Sequence, residues 1–140
     1  MTLVPLDNLV KIGKLGREPP NQAQIDGLIG LATERLSDIE TAGISKAGKF
    51  SAAYAVAHSL GLAAMRWHGY RSDNRYLVFQ CLQHTLGLEN AKWRVLDKCH
   101  RLRNSIEYEG VSDIDDQLLL ELINIAKELM PMVEALGPVK

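Results

Sequence analysis

Cysteine is scarce. Cys81 and Cys99 are the only two, and they lack CxxC spacing. That argues against a disulfide framework or a metal knuckle and leaves two buried free thiols in a reducing compartment as the expectation. No sign of charge dominates either. Lys and Arg number 16 against 17 Asp and Glu, a formal net charge of -1. This excludes a uniformly basic nucleic-acid coat and a strongly acidic mimic. Long apolar runs are missing as well. The most apolar stretch, 50–65, falls short of the roughly 20 residues that span a bilayer, and Ser51, His58 and Ser59 interrupt it. The N-terminus shows no basic segment leading into an apolar one, so no signal peptide is expected. What remains is a cytoplasmic, soluble protein without a membrane partner. Its 140 residues, 46% hydrophobic and 24% charged, suit one domain with an unstapled core.

Strand-like alternation is almost absent, and the punctuation is helical. Pro19-Pro20 closes an N-terminal arm, and Gly43, Gly69, Gly87, Gly110 and Gly137 each follow a stretch of helical character, as left-handed caps do. The spacing predicts five helices, at 21–42, 45–68, 73–86, 89–109 and 113–136, joined by short connections in an up-and-down all-α bundle. The domain reading is an arm over 1–20 and one helical domain over 21–140. The 45–68 helix is apolar nearly all round, which places it at the centre. Ala53, Ala57, Gly61 and Ala64 form a small-residue stripe along it, for core packing or for close approach of another helix. In the next-to-last helix Val95, Cys99, Leu102 and Ile106 make one core face. His100, Arg103 and Glu107 share one flank, with Asp97, Arg101, Asn104 and Tyr108 on the other side. Ser112 and Asp115 have capping-box spacing at the start of the last helix, and Pro131 is expected to kink it or end it early. The arm, with Leu3, Leu6, Leu9 and Ile12, is too apolar to float free. It packs on its own bundle or on a second subunit.

The near-zero net charge hides a division. Residues 66–103 carry eight basic side chains (Arg66, Arg71, Arg75, Lys92, Arg94, Lys98, Arg101 and Arg103) against three acidic ones, and residues 104–136 carry one basic against eight acidic. Two readings stand. One is a phosphate-facing groove built by the third and fourth helices. The other is mutual neutralisation across the bundle or across a dimer.

Among motifs that carry chemistry, there is no glycine-rich phosphate loop, no GxSxG elbow and no HExxH spacing. Neither cysteine has a set of metal partners, and no cofactor is implied. Cys99 precedes His100, but its place on the core face makes it a structural thiol rather than a nucleophile. His58, mid-way along the most buried helix, reads as a hydrogen-bonded core histidine. The remaining constellation is His100, Arg101, Arg103, Asn104, Glu107 and Tyr108, with Arg75 from the basic segment as a further ligand-binding candidate. Arg103 can grip a phosphate with a permanently charged fork, and Asn104 can donate and accept beside it. Metal-free RNA cleavage would also need a histidine to move protons. Tyr108, with an ordinary pKa near 10, is a poor base at neutral pH but can position a phosphate or stack on a base.

The segment 50–69, FSAAYAVAHSLGLAAMRWHG, resembles the central helix of small HEPN-domain proteins, aromatic and alanine-rich and closed by glycine. RSDNRYLVF, which follows, resembles the family's next segment, with Asp73-Asn74 where a Thr-His pair often stands. HRLRNSIEYEG, 100–110, resembles the family's Arg-x(4–6)-His region. The resemblance covers roughly 45–136. It implies an up-and-down bundle, a homodimer, and a cleft in which the motif Arg and His of RNase members cut RNA without a metal. Arg103 matches that Arg, and Asn104 the polar residue after it. Tyr108 stands where the His is expected, as in the branch whose motif ends in an acid followed by Tyr. His100, one turn before Arg103, offers a different geometry. The resemblance further implies a nucleotidyltransferase partner in a toxin–antitoxin or stress-response pair, with Tyr108 the tyrosine open to modification. Three functions follow: a binding or regulatory protein gripping RNA or nucleotide near Arg103 through the tentative site Arg103, Asn104 and Tyr108; a metal-independent RNase toxin; or an assembly protein.

Overall fold

The computed structural model describes residues 3–111 and 113–139. Six helices follow one another: α1 (Val4–Lys11), α2 (Gln22–Ile39), α3 (Lys46–Trp67), α4 (Arg75–Thr85), α5 (Asn90–Glu109) and α6 (Asp116–Glu134). The architecture is an all-α bundle. Five of the six helices match the sequence reading to within a few residues. The sixth is α1, inside the arm, with Pro5 in its first turn, where the missing N–H costs nothing. Two short strands, β1 (Gly16–Arg17) and β2 (Tyr70–Arg71), pair antiparallel with Gly16 opposite Arg71. Two residues each are too few for alternation to show.

Local chemistry fixes the helix starts. Asn21, Ser45, Asn74 and Asp115 each accept a hydrogen bond from the backbone N–H three residues on, which satisfies one of the unpaired first-turn donors. Asn74, one of the two residues that depart from the HEPN pattern, is therefore the cap of α4. The cap of α6 is Asp115 itself, so the box expected with Ser112 is not the starting device, and Ser112 lies outside the described residues. Pro131 does not end α6 early. The helix runs to Glu134, because the ring sits in the last turn, where only one ladder bond is lost. Gly110 closes α5 at φ 70, and all five glycines marked as caps have positive φ.

Helix α3 is the hub, packed by α2, α4 and α6, while α5 bridges α4 and α6. The small-residue stripe is buried core. A Cβ on Gly61 would lie 3.0 Å from Val78 Cγ1, so this glycine sets how closely α4 approaches. The core face of α5 is rotated from the expected one. Leu96 and Cys99 are fully buried, whereas Val95, Leu102 and Ile106 are half-buried, because α5 lies at the edge of the bundle. Both cysteines are free and buried.

The arm packs on its own bundle. Leu6 and Leu15 join Met65, Tyr70, Leu77, Val78 and Cys81 in a second apolar cluster. Asp7 accepts from the Tyr70 hydroxyl and pairs with Arg17, whose guanidinium lies over the Tyr70 ring. The chief clamp is Arg66, only 2% exposed. Nε donates to Gln24 Oε1 at 2.8 Å; Nη1 donates to the carbonyls of Glu18 (3.1 Å) and Tyr70 (3.0 Å). Nη2 donates to the Pro19 carbonyl at 2.8 Å and reaches Glu18 Oε2 at 3.0 Å. Four hydrogen bonds and one ion pair thus tie α2, the end of α3 and the arm together. Among the described residues no helix is long and apolar enough to cross a membrane.

Candidate functional site

Between α2, α3, the start of α4 and the second half of α5 lies a cavity of about 230 Å³. Arg35 comes from α2, Ser51 and Tyr54 from α3, Arg75 from the first turn of α4, and Arg103 and Glu107 from α5. The guanidiniums of Arg75 and Arg103 lie over the Tyr54 ring, Arg103 is paired with the Glu107 carboxylate, and the exposed Arg35 also lines the cavity. A larger, shallower hollow of about 530 Å³ shares Arg35 and Ser51, and the only other charged residue lining it is Asp38, so the cationic chemistry is concentrated in the smaller one.

Tyr54 organises this cavity. It is 3% exposed, and Arg75 and Arg103 both lie over its ring, with Cζ 5.7 and 5.8 Å from the centroid. Its hydroxyl is 2.9 Å from His100 Nδ1. The direction of this bond follows from its neighbours. Arg103 Nη1 donates to Asn104 Oδ1 at 3.3 Å, which leaves Asn104 Nδ2 facing His100 Nε2 at 3.4 Å. Nε2 is then the acceptor, Nδ1 carries the hydrogen, and Tyr54 Oη accepts it. The chain runs Arg103 to Asn104 to His100 to Tyr54, and it leaves the Tyr54 hydroxyl hydrogen free to donate. Burial raises the Tyr54 pKa, and Arg75 and Arg103 oppose that rise, so the hydroxyl stays protonated at neutral pH.

His58 and His100 are held neutral. Burial and then the nearby Arg103 push the His100 pKa down. His58 is lowered to about 4 by burial, then by Arg75, Arg103 and His100. His58 departs from its expected role. Among the described residues it has no hydrogen-bond partner and instead meets the Phe79 ring edge-on at 6.1 Å, because it points to the seam with α4 rather than into the polar chain. Burial also lifts the thiols, Cys81 to about 11 and Cys99 to about 12, so neither is a nucleophile.

Of the candidates read from sequence, the fold brings together Arg75, His100, Arg103, Asn104 and Glu107. Asn104 leaves the flank assigned to it and turns toward His100, since its position on the helix is only about 40° from that residue. Arg101 stays outside, exposed and paired with Asp97 at 3.0 Å. Tyr108 is 77% exposed and does not line the cavity. Three contributors were missed: Arg35, Ser51 and Tyr54. Tyr54 puts a polar tip on an otherwise alanine-rich helix, and that signal was present in the sequence. Nothing local marks Arg35. Among the described residues no group of three or more His, Cys, Asp or Glu side chains is placed to hold a metal. No protein-family model matches the chain, and no curated protein matches it.

Proposed function

We propose that this chain is a binding or regulatory protein of the HEPN type that grips the phosphate of an RNA or nucleotide in the cavity of Arg35, Arg75 and Arg103. The observation that carries the reading is the convergence of the Arg75 and Arg103 guanidiniums, from two helices, on one small hollow that Arg35 also lines, against the single carboxylate of Glu107. Arginine forks suit phosphate oxygens in both geometry and charge, and the Tyr54 hydroxyl adds a neutral donor. Binding is favoured over metal-free cleavage by the state of His100. Both of its ring nitrogens are engaged within the protein, so it has no free base to offer a ribose hydroxyl.

The resemblance supplies the rest of the proposal: a homodimer, and a nucleotidyltransferase partner for which Tyr108, 77% exposed, is an accessible target. Two free thiols fit a cytoplasmic site of action.

The test is fluorescence anisotropy with a labelled single-stranded RNA at several salt concentrations. Binding should weaken as salt rises. Arg103→Ala and Arg75→Ala should each weaken it by about 10- to 100-fold, the worth of a hydrogen bond to a charged group. Absence of binding at low salt, or an affinity unchanged by both substitutions, refutes the proposal. RNA degradation that survives a chelator and vanishes in Arg103→Ala would move the assignment to the RNase reading.

A further inference from the structure

The chain has eight Phe, Trp and Tyr side chains, and five of them gather beside the arginine cavity. Phe79 is the hub, with the Tyr54, His58 and His100 rings at 5.4, 6.1 and 6.2 Å. Phe50 stacks on Tyr54 from the other side. The cluster does not stop in the core. His100 lies 6.4 Å from Tyr76, and Tyr76 meets Trp93 edge to face at 5.6 Å. Tyr76 is 40% exposed. A surface tyrosine braced by a tryptophan and a histidine holds one orientation, so a flat ligand stacking on it costs little ordering entropy.

The place of this ring relative to the cations gives it meaning. Arg75 and Tyr76 are consecutive in the first turn of α4, and successive side chains on a helix diverge by about 100°. Arg75 turns to the Tyr54 ring and lines the cavity, and Tyr76 turns to the His100 and Trp93 rings. The His100 ring lies nearly parallel to that of Tyr54, 6.4 Å away, so the exposed ring is two ring contacts from the guanidiniums. A ligand with a phosphate and a π-face close to one another meets both.

We infer that Tyr76, braced by Trp93, is the stacking platform for a nucleobase whose phosphate lies among Arg35, Arg75 and Arg103. The ligand class is then a nucleotide with an unpaired base, either free or within single-stranded RNA, and neither a bare phosphorylated group nor a duplex. This inference rests on the phosphate-binding reading above.

Calorimetric titrations with adenosine monophosphate, ribose 5-phosphate and a short oligoadenylate test it. The full chain should bind adenosine monophosphate about 5- to 150-fold tighter than ribose 5-phosphate, the worth of one stacked base. Tyr76→Ala should erase that preference while leaving ribose 5-phosphate binding within about twofold, and Tyr76→Trp should keep it. The oligoadenylate separates the two sources of the base: a strand ligand binds it tighter and with a steeper salt dependence than the mononucleotide, and both outcomes support the platform. If wild type shows no preference for the base, or the preference survives Tyr76→Ala, Tyr76 only packs α4 on α5 and the inference falls. If binding of the mononucleotide depends on Tyr76 but not on Arg103, the phosphate-binding reading fails and the platform stands. If neither small molecule nor the oligoadenylate binds, both fall.

Discussion

Replacing Arg66 with alanine should destabilise the fold more than any other change among the cationic residues of 66–103. The side chain is 2% exposed and makes four hydrogen bonds and an ion pair within the protein. Without it, the Tyr70 carbonyl is stranded in the interior, and the carbonyls of Glu18 and Pro19 and the amide oxygen of Gln24 lose partners at part-buried positions. An unmet buried acceptor costs about 1–3 kcal/mol. Water reaches the part-buried ones, and the Glu18 carboxylate, 48% exposed, rehydrates and adds little. The total comes to about 3–5 kcal/mol, in the range for breaking a buried charged network. For a chain of this size that lowers the Tm by about 8–15 °C. Arg66→Lys keeps the charge but has three donors and no planar fork, so it should lose about half as much. Urea and thermal unfolding followed by circular dichroism read both quantities, and coincident transitions check two-state behaviour. A loss below about 1 kcal/mol for Arg66→Ala would show that these acceptors find other donors and that the arm is not clamped from α3. A second measurement separates clamp from ligand site: RNA affinity in Arg66→Lys should stay within about twofold of wild type.

Two further outcomes follow from the perturbed titrations. His58 binds its proton more weakly in the folded chain, its pKa moved from 6.5 to about 4, so the unfolded state takes up more protons as pH falls. Stability is therefore full above pH 6.5 and lost progressively between 6.5 and about 4, by up to about 3 kcal/mol. His58→Leu should flatten that part of the stability profile, and an unchanged slope would remove His58 as its source. Cys81 and Cys99, raised to about 11 and 12 by burial, should resist a thiol-reactive disulfide reagent in the native protein at pH 8 and react at once in denaturant. Rapid native labelling would contradict their burial.

Five helices and their order were legible because Gly43, Gly69, Gly87, Gly110 and Gly137 each stand just past a helical stretch and all take positive φ, whereas α1 lay inside what read as an arm. The inner helix was legible because an alanine-rich stretch with apolar residues all round has nowhere to sit except the centre. The candidate site was half legible. His100, Arg103 and Glu107 share one flank of one helix, which periodicity gives. Arg35, Tyr54 and Arg75 belong to three other helices, and only the packing of α2, α3 and α4 brings them to that flank. The charge count found the right segment but treated its cations alike. Arg66 is internal, Arg71 faces Glu18, Lys92 pairs with Glu128 on α6 and Arg101 pairs with Asp97. Neutralising pairs and cations that line the hollow are therefore both present, divided residue by residue. No count by segment separates them, because the division depends on which side of a helix each cation leaves from.

Whether Arg103 is locked by Glu107, four residues on, decides whether the hollow can take an anion. Arg103 Nη2 lies 3.3 Å from Glu107 Oε2, with the arginine side chain 21% and the glutamate 49% exposed. A half-solvated pair on one helix is worth about 0.3–0.5 kcal/mol, far less than a phosphate offers to three guanidiniums. Glu107 is thus displaceable and does not close the site. Its presence has another effect. Arg75 and Arg103 repel one another beside the Tyr54 ring, and one carboxylate offsets part of that repulsion. The histidines respond to the same field. Protonating His58 or His100 would add a further positive charge beside the arginines, and in both the coulombic push of Arg75 and Arg103 adds to burial in keeping the imidazole neutral. A neutral His100 accepts from Asn104 and donates to Tyr54, whereas an imidazolium would have to break the Asn104 bond. Burial first, and then the positive charge of the arginines, keeps His100 neutral, and the neutral ring donates to the Tyr54 hydroxyl and leaves that hydroxyl's own hydrogen free.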